Sequence, residues 1–225
     1  MSQSLFITGT DTGVGKTLVA CALLHAYAAA GQTTVGMKPV VAGCEAVAGG
    51  LCCGDVELLR QASSVKAPGE LVNPYAFAPP IAPHVAAQEA GVVIELEHIR
   101  RAYLGLAELA DVVVVEGVGG FKVPLNHHQD TADLACFLAL PVVLVVGMRL
   151  GCLNHALLAA EAIAARGLLL AGWVANRIDP EIARFAASLE ALQQRLDAPL
   201  LGVMAHEAHP EPVKMARNLH LPHVS

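Results

Sequence analysis

The chain has 225 residues, of which 55% are hydrophobic and only 15% are charged, and its formal net charge is −6. A chain of this length can bury a sizeable core, so one domain over residues 1–225 is expected. The negative charge argues against a nucleic-acid or anionic-membrane partner. The first residues show no signal-type apolar stretch, and no apolar run is long enough to span a bilayer, so we expect a soluble, cytoplasmic protein.

Apolar runs alternate with helical segments along the chain. The runs that predict strands lie at about 4–8, 34–37, 112–116, 142–147, 168–175 and 200–203. Helices are expected at about 16–30, 55–62, 96–109, 131–139, 153–166 and 181–195. This alternation indicates an α/β fold, a mainly parallel sheet flanked by helices. Ligands bind such sheets at the carboxyl ends of the strands, so polar residues there are functional candidates.

A glycine-rich segment joins the first strand to the first helix, with the sequence Gly9-Thr10-Asp11-Thr12-Gly13-Val14-Gly15-Lys16-Thr17. This context is typical of a phosphate-binding loop, where backbone N–H groups and the positive helix end hold phosphates. Lys16 can reach the outer phosphates of a nucleotide, and the Thr17 hydroxyl can bind Mg²⁺. The usual loop has glycine six residues before the lysine, where this chain has Thr10. A simple Gly-Val-Gly turn is the alternative.

The next two candidates are Lys38 and Asp55. Lys38 ends the second strand, where its ammonium either holds an anionic substrate group or lies solvated on the surface. Residues 43–54 are rich in glycine and predict a loop. Asp55 then begins a helix, where a cap is favoured over a metal ligand on local grounds.

A proline-rich segment covers residues 68–84, and it predicts a long ordered loop because proline excludes helix over most of it. His84 ends this segment. It either caps the next helix or contacts a ligand, and the sequence does not decide between the two.

Glu116 directly follows the apolar run 112–115. Phosphate-loop NTPases place a second Mg²⁺-associated carboxylate at such a position. The glycines after it, including Gly119, allow close approach of backbone to ligand.

Two further strand ends are candidates. A helix begins near Gly151, Cys152 and Asn154, and its free N–H groups can hold an anion. Because no lysine accompanies it, a carboxylate fits better than a polyphosphate, and an ordinary capped helix is the alternative. Asn176 ends the next strand, where its amide reads a purine edge or serves a turn.

The six cysteines are Cys21, Cys44, Cys52, Cys53, Cys136 and Cys152. Without an export signal, reduced thiols are expected. The spacing of Cys44 with Cys52 and Cys53 fits no standard zinc pattern.

Taken in order, these motifs resemble the dethiobiotin synthetase family, the ATP-dependent carboxylases of biotin synthesis. The resemblance covers nearly the whole chain and includes the loop at residues 9–17, Lys38-Pro39-Val40, Asn73-Pro74-Tyr75 with Pro83-His84, Glu116-Gly117-Val118-Gly119-Gly120, Gly151-Cys152-Leu153-Asn154-His155-Ala156, Ala171-Gly172-Trp173-Val174-Ala175-Asn176, and Ala198-Pro199-Leu200-Leu201-Gly202. The combination is far more specific than the phosphate loop alone.

The resemblance implies a substrate, 7,8-diaminopelargonic acid, whose amine takes up CO₂ as a carbamate that ATP phosphorylates before a cyclic urea closes. It implies that Lys16 and Lys38 flank the carbamate and the γ-phosphoryl group, with Thr12 positioning both. Thr17, Asp55 and Glu116 would bind Mg²⁺, and Asn176 would read adenine. The helix start at Gly151, Cys152 and Asn154 would take the substrate carboxylate from the partner subunit of a homodimer.

The chain departs from the family pattern at several positions. Ala42 stands where a serine or threonine is usual, and Ala205 stands where a proline near adenine is usual. The segment 46–53 matches nothing in the family and weakens the assignment of Asp55.

Two other functions agree with the phosphate loop alone. A cobalamin-precursor amidase would need a glutamine-hydrolysing domain, for which the chain leaves little room. A partition or septum-placing switch ATPase would carry an extra lysine at the start of the loop, where this chain has Gly9-Thr10.

Overall fold

The computed structural model describes residues 3–48 and 50–222. Over these residues the strands, numbered in chain order, are β1 (Leu5–Gly9), β2 (Thr34–Met37), β3 (Val40–Ala42), β4 (Glu45–Val47), β5 (Gly50–Cys52), β6 (Tyr75–Phe77), β7 (Val112–Glu116), β8 (Val142–Gly147), β9 (Leu170–Asn176) and β10 (Leu200–Met204). The helices are α1 (Lys16–Ala29), α2 (Gly54–Ala62), α3 (Gly69–Val72), α4 (Pro83–Glu89), α5 (Leu96–Ala107), α6 (Thr131–Leu138), α7 (Cys152–Ala165), α8 (Phe185–Gln193) and α9 (Pro212–Ala216).

Six strands form one central sheet in the order β10-β9-β8-β1-β7-β2, and all of its pairings are parallel. The predicted α/β fold is therefore confirmed, with the six predicted strands in this sheet. Strand β1 lies in the interior between β7 and β8, where Ile7 pairs with Glu116 and Gly9 pairs with Val145. This register places the glycine-rich loop directly beside the carboxyl ends of β7 and β8.

Both faces of the sheet are covered, which explains why its strands are apolar at nearly every position. Side chains of β1 alternate, because successive residues of a strand point to opposite faces. Leu5 and Ile7 pack with α1 on one face, and Phe6 packs with α5 and α6 on the other. Among the described residues no helix is both long and apolar enough to cross a membrane.

Two small sheets lie outside the central one, and the sequence predicted neither. Strands β3 and β6 pair in parallel, and β4 and β5 form an antiparallel hairpin. The predicted loop at 43–54 is therefore largely a hairpin, and the predicted loop at 68–84 contains α3 and β6. Their strands are only three residues long, which is too short for a periodicity to be detected.

The expectation that all cysteines are reduced is wrong in this structure, because Cys44 and Cys53 form a disulfide. The β4–β5 hairpin returns the chain to its starting point, which brings the two Cα atoms to 4.6 Å. Spacing along the chain gives no such distance. The free cysteines include Cys52, which is exposed beside this bridge.

Candidate active site

The glycine-rich loop leaves β1 and enters α1, as predicted. Gly13 and Gly15 have φ values of 73° and 88°, in the left-handed region that glycine adopts without strain. Gly15 is the N-cap of α1, no side chain caps this end, and the first turn carries no acid. The N–H groups at the start of α1 are therefore available to an anion.

Val14 explains why position 9, at the start of the loop, is a glycine. Its side chain is fully buried over the ends of β1 and β8. A Cβ on Gly9 would lie 2.6 Å from one Val14 methyl, and a Cβ on Gly147 would lie 2.6 Å from the other. Glycine at these strand ends leaves the space in which Val14 anchors the loop.

Asn176 contacts the loop from the end of β9. Its side-chain nitrogen donates to the Val14 carbonyl at 2.8 Å, and its side chain is buried. The amide thus holds the loop, and the reading of adenine by Asn176 stays a prediction. Ala205 follows β10, whose Met204 pairs with Asn176, and it is exposed at this edge.

Lys16 is buried in the first turn of α1, where its ammonium donates to the Asp11 carbonyl at 2.8 Å. Burial, and secondarily the nearby charge of Lys38, lowers the pKa of Lys16 from 10.5 to about 8. A bound anion would favour the charged form of Lys16 and raise this pKa again.

Lys38, Asp55 and Glu116 converge at the carboxyl ends of β2 and β7. The Lys38 ammonium lies 2.6 Å from Glu116 Oε1 and 3.0 Å from Asp55 Oδ2. The Thr17 hydroxyl donates to the same Glu116 oxygen at 2.9 Å. Lys38 and Glu116 are almost completely buried, so Lys38 is not the solvated surface lysine of the alternative interpretation.

Burial and the neighbouring opposite charges shift the pKa of each of these groups in opposite directions. Burial disfavours the Lys38 ammonium, but the Glu116 and Asp55 carboxylates outweigh it and hold the pKa of Lys38 above its ordinary value. Burial also opposes ionisation of Asp55, yet Lys38 and the Thr17 hydroxyl hold its pKa below the usual range. The pKa of Glu116 is raised because this carboxyl is fully buried, and Lys38 limits the rise.

The predicted Mg²⁺ ligands lie together and fit a divalent cation. Glu116 Oε2 is buried and has no hydrogen-bond partner among the described residues, so one carboxylate oxygen lacks the partner that a cation would supply. Mg²⁺ is commonly held by one or two carboxylates together with substrate phosphates, and Thr17, Asp55 and Glu116 match that donor set. Within residues 3–48 and 50–222 no three His, Cys, Asp or Glu side chains form a metal-binding cluster.

Asp55 does not cap its helix, so the interpretation favoured by the local sequence is wrong. The N-cap of α2 is Cys53, no side chain caps the helix, and Asp55 instead contacts Lys38. His84 likewise does not cap α4, whose N-cap is Ala82. His84 lines a cavity of about 230 Å³ with Ile94 and Leu125.

Asp11 links the loop to the segment before α7. One carboxylate oxygen accepts from the Thr12 N–H at 2.7 Å, and the other accepts from the Arg149 guanidinium. The Thr12 hydrogen bond is the largest cause of the lowered pKa of Asp11, and Arg149 contributes. Sequence reasoning missed Arg149, although it follows β8 at the same edge and this position was the available signal.

Thr10 and Gly119 complete the surroundings of the loop. The Thr10 hydroxyl accepts from the Gly147 N–H at 3.2 Å. Gly119 has φ 61°, and a Cβ at this position would lie 3.7 Å from the Thr12 hydroxyl. The Glu116–Gly120 segment therefore faces the tip of the loop.

The start of α7 is the second predicted anion site. Its N-cap Gly151 has φ 92°, no side chain caps it, and its first turn carries no acid. Cys152 is buried, whereas Gly151 and Asn154 are exposed. The ordinary capped helix of the alternative interpretation therefore does not apply.

A parallel sheet with a glycine loop, a buried lysine and an uncapped helix start defines a phosphate-loop nucleotide-binding protein. Solved structures agree at the level of the fold. The MinD cell division protein of Aquifex aeolicus has a TM-score of 0.55 at 16% identity, covering 92% of this chain and 84% of that one. Chloroplast FtsY from Physcomitrella patens has a TM-score of 0.51 at 19% identity, covering 92% and 60%.

Sequence relatives define the family more narrowly. A family model described as an AAA domain matches residues 3–212. The ATP-dependent dethiobiotin synthetase BioD of Nitrosospira multiformis is 60% identical over 92% of this chain and 90% of that protein. The synthetase of the same name from Aromatoleum aromaticum is 58% identical over 98% of each chain. The chain belongs to the ATP-dependent dethiobiotin synthetase family, and its likeness to MinD is a distant relation of fold.

Proposed function

We propose that this chain joins CO₂ to 7,8-diaminopelargonic acid, with ATP, to form the cyclic urea dethiobiotin in biotin biosynthesis. The observation that carries the proposal is the placement of two buried lysines, Lys16 and Lys38, at one strand edge beside the phosphate loop. A simple ATPase needs only the first of them. The identity to dethiobiotin synthetases over nearly the full chain supports the same reaction.

The reaction places negative charge on both partners of one phosphoryl transfer. One substrate amine attacks CO₂ and loses a proton, giving a carbamate. A carbamate oxygen attacks the γ-phosphorus of ATP and ADP leaves. The second amine then attacks the carbonyl carbon, loses a proton and expels phosphate, which closes the ring. Lys16 and Lys38 would offset the charge where carbamate and γ-phosphate meet.

Thr12 would position the two anions. Its N–H is held by the Asp11 carboxylate, and its hydroxyl faces Gly119. Thr10, Gly13, Val14 and Gly15 shape the loop around the phosphates. The acids nearest to the lysines are paired with Lys38, so the scheme relies on positioning and charge rather than on a strong general base.

Thr17, Asp55 and Glu116 would hold Mg²⁺. The ion would supply positive charge to the phosphate oxygens during transfer. The fit rests on the unpartnered Glu116 oxygen and on the Lys38 ammonium, a cation that already contacts both carboxylates. Asn176 would contact adenine while its nitrogen holds the loop, and the selectivity for the base, given Ala205, is left to measurement.

The helix start at Gly151, Cys152 and Asn154 would bind the substrate carboxylate across a homodimer. Leu150, directly before it, is 96% exposed, and Leu153 is also exposed. Apolar side chains at such a place are consistent with burial against a second subunit. Every reactant in the scheme is a small molecule, so the proposal needs neither nucleic acid nor membrane and keeps a cytoplasmic location.

The test is the dependence of phosphate release on the diamine. Purified protein with ATP, Mg²⁺ and ¹³C-bicarbonate should release phosphate only when 7,8-diaminopelargonic acid is present. Mass spectrometry should then find one ¹³C in a cyclic urea product. A monoamine analogue, which can form a carbamate but cannot close the ring, serves as the control. Equal phosphate release without any amine would contradict the proposal.

A further inference from the structure

Lys38 lies between strands β2 and β3, where regular strand pairing is interrupted. The pairing of β2 with β7 ends at Met37 and Val115, and the pairing of β3 with β6 begins at Val40 and Tyr75. Lys38 and Pro39 belong to neither ladder, and Pro39 has no N–H to donate. The backbone that carries the lysine therefore needs other partners.

Asn73 supplies the partner for the Lys38 carbonyl. Its side-chain nitrogen donates to the Lys38 oxygen at 2.6 Å and to the Tyr75 oxygen at 3.1 Å. The Lys38 N–H donates to the Val72 carbonyl at 2.8 Å. Both polar groups of the Lys38 backbone are thus held by residues 72 and 73.

The chemistry of this bridge suits an amide. The side-chain NH₂ of Asn73 carries two donors on one atom, one for each carbonyl. A carboxylate of the same shape would have only acceptors and would face two carbonyl oxygens. Asn73 is half-buried, so water can replace the lost bonds only in part.

We propose that Asn73 is a positioning residue for the reaction, because it fixes the backbone from which Lys38 reaches Glu116 and Asp55. This inference rests on the proposed function, since it assumes that Lys38 acts in the phosphoryl transfer. Asn73 touches neither reacting group and acts through Lys38. Its motif, Asn73-Pro74-Tyr75, has no role in the scheme otherwise.

The variants Asn73→Asp and Asn73→Ala test it, with Asn126→Asp as the matched control. Asn126 is also half-buried, and it donates to the Ile94 carbonyl at 2.9 Å in a loop outside the lysine cluster. Both positions lose a side-chain bond to a backbone carbonyl. Only the Asn73 variants should affect Lys38.

The expected result is a split between turnover and binding. A displacement of about 1 Å in a reacting group costs on the order of 10²-fold in rate, so kcat should fall by about that factor in both Asn73 variants. Nucleotide affinity should be unchanged, because the phosphate loop does not contact Asn73. Asn126→Asp should keep the wild-type kcat even if its melting temperature falls.

A second readout does not depend on activity. Acetylation by acetic anhydride, followed by mass spectrometry, measures how accessible the Lys38 amine is relative to that of the exposed Lys122. Lys38 is 3% exposed, so a backbone shift that opens its side chain to solvent should raise this labelling ratio severalfold. Asn126→Asp should leave the ratio at its wild-type value.

The two readouts separate the possible failures. Wild-type kcat and unchanged Lys38 labelling in both Asn73 variants would overturn the inference, and so would an equal loss of kcat in Asn126→Asp. If the wild-type protein shows no diamine-dependent turnover, the proposed function fails and the labelling ratio alone decides whether Asn73 positions Lys38.

Discussion

Two helix starts in this chain are built alike and differ in their surroundings. Helices α1 and α7 both begin after a left-handed glycine, with φ 88° at Gly15 and 92° at Gly151. Neither is capped by a side chain, and neither has an acid in its first turn. Two buried lysines, Lys16 and Lys38, lie at the start of α1. At the start of α7, Leu150 and Asn154 are exposed to solvent.

In the proposed scheme, each helix start favours a negatively charged ligand, and the neighbouring charges set how much negative charge the ligand can carry. A helix start alone offers N–H groups and about half a positive charge, which suits one carboxylate. Lys16 and Lys38 add full charges at α1, which suits a polyphosphate during transfer. A molecule that carries a carboxylate and reacts at ATP uses both.

The largest expected effect is that of Lys38→Ala. Turnover should fall by about 10³-fold while nucleotide binding persists, because one charge aimed at the transferring group is lost. Phosphate release and nucleotide affinity measured on the same samples check this. Lys122→Ala, at an exposed lysine, is the control, and retained turnover in Lys38→Ala would remove this residue from the mechanism.

The same variant has a defined effect on stability. Glu116 would lose its buried partner, at a cost of about 3–5 kcal/mol, unless it takes up a proton. Its pKa, already raised by burial, would rise further above the unfolded value. A raised carboxyl pKa favours the folded state only at low pH, so Lys38→Ala should lose stability progressively as the pH rises from about 4.5 toward neutrality. Urea unfolding at several pH values measures this.

Alanine substitutions at the two glycine caps compare the helix starts directly. Both alanines would be strained by about 1–2 kcal/mol in the left-handed region. At Gly15 the new Cβ would also lie 2.2 Å from the Asn176 nitrogen and break its bond to Val14, at a further cost of about 1–3 kcal/mol. At Gly151 the new Cβ would have no atom within 4 Å other than those of its chain neighbours.

Gly15→Ala should therefore abolish nucleotide binding and destabilise the fold more than Gly151→Ala, which should keep nucleotide affinity. Thermal unfolding with and without nucleotide measures both effects. Equal loss of nucleotide affinity in the two variants would mean that the starts of α1 and α7 are not distinct sites.

Asn154→Asp should separate substrate binding from stability. An acid in the first turn of α7 stabilises the helix by up to about 1 kcal/mol but repels a carboxylate ligand. We expect KM for the diamine to rise about tenfold, equivalent to about 1.4 kcal/mol, with KM for ATP unchanged. Asn154→Gln is the neutral control, and an unchanged diamine KM in Asn154→Asp would place the carboxylate elsewhere.

The smallest effect expected is a change in proton uptake on nucleotide binding. The pKa of Lys16 is about 8 in the free protein, and phosphates would raise it, so binding above pH 8 should take up a proton and weaken as the pH rises. Calorimetry in two buffers of different ionisation enthalpy measures the uptake. Lys16→Gln should abolish it, and wild-type binding without uptake at pH 8.5 would contradict the assigned pKa.

The sequence predicted the central sheet well, because strands buried on both faces are continuous apolar runs. It also placed Lys38 and Glu116 at one edge, since parallel strands end together. It could not predict that the Lys38 ammonium lies between two carboxylates, because that depends on side-chain direction. For the same reason the local sequence favoured Asp55 as a helix cap, whereas in the structure Asp55 contacts Lys38.

What the sequence missed depends on pairings between distant short segments. The β3–β6 pair joins residues more than thirty positions apart, and with it come the two Asn73 hydrogen bonds. The Cys44–Cys53 bridge depends on the β4–β5 hairpin, whose strands of three residues are too short to show a strand periodicity. Segment 43–54 appeared irregular because of its glycines, and segment 68–84 because of its prolines.

In the proposed dimer, the start of α1 in one subunit and the start of α7 in the other serve one reaction. Mixing two impaired variants tests this shared site most directly. At limiting diamine, Lys38→Ala should be nearly inactive and Asn154→Asp should keep about a tenth of wild-type activity, because its KM for the diamine rises about tenfold. If α7 serves the partner's loop, a mixed dimer has one site with both features intact, and equal mixing after subunit exchange should restore about a quarter of wild-type activity by random pairing. No gain over the separate proteins, once exchange is verified, would contradict the shared site.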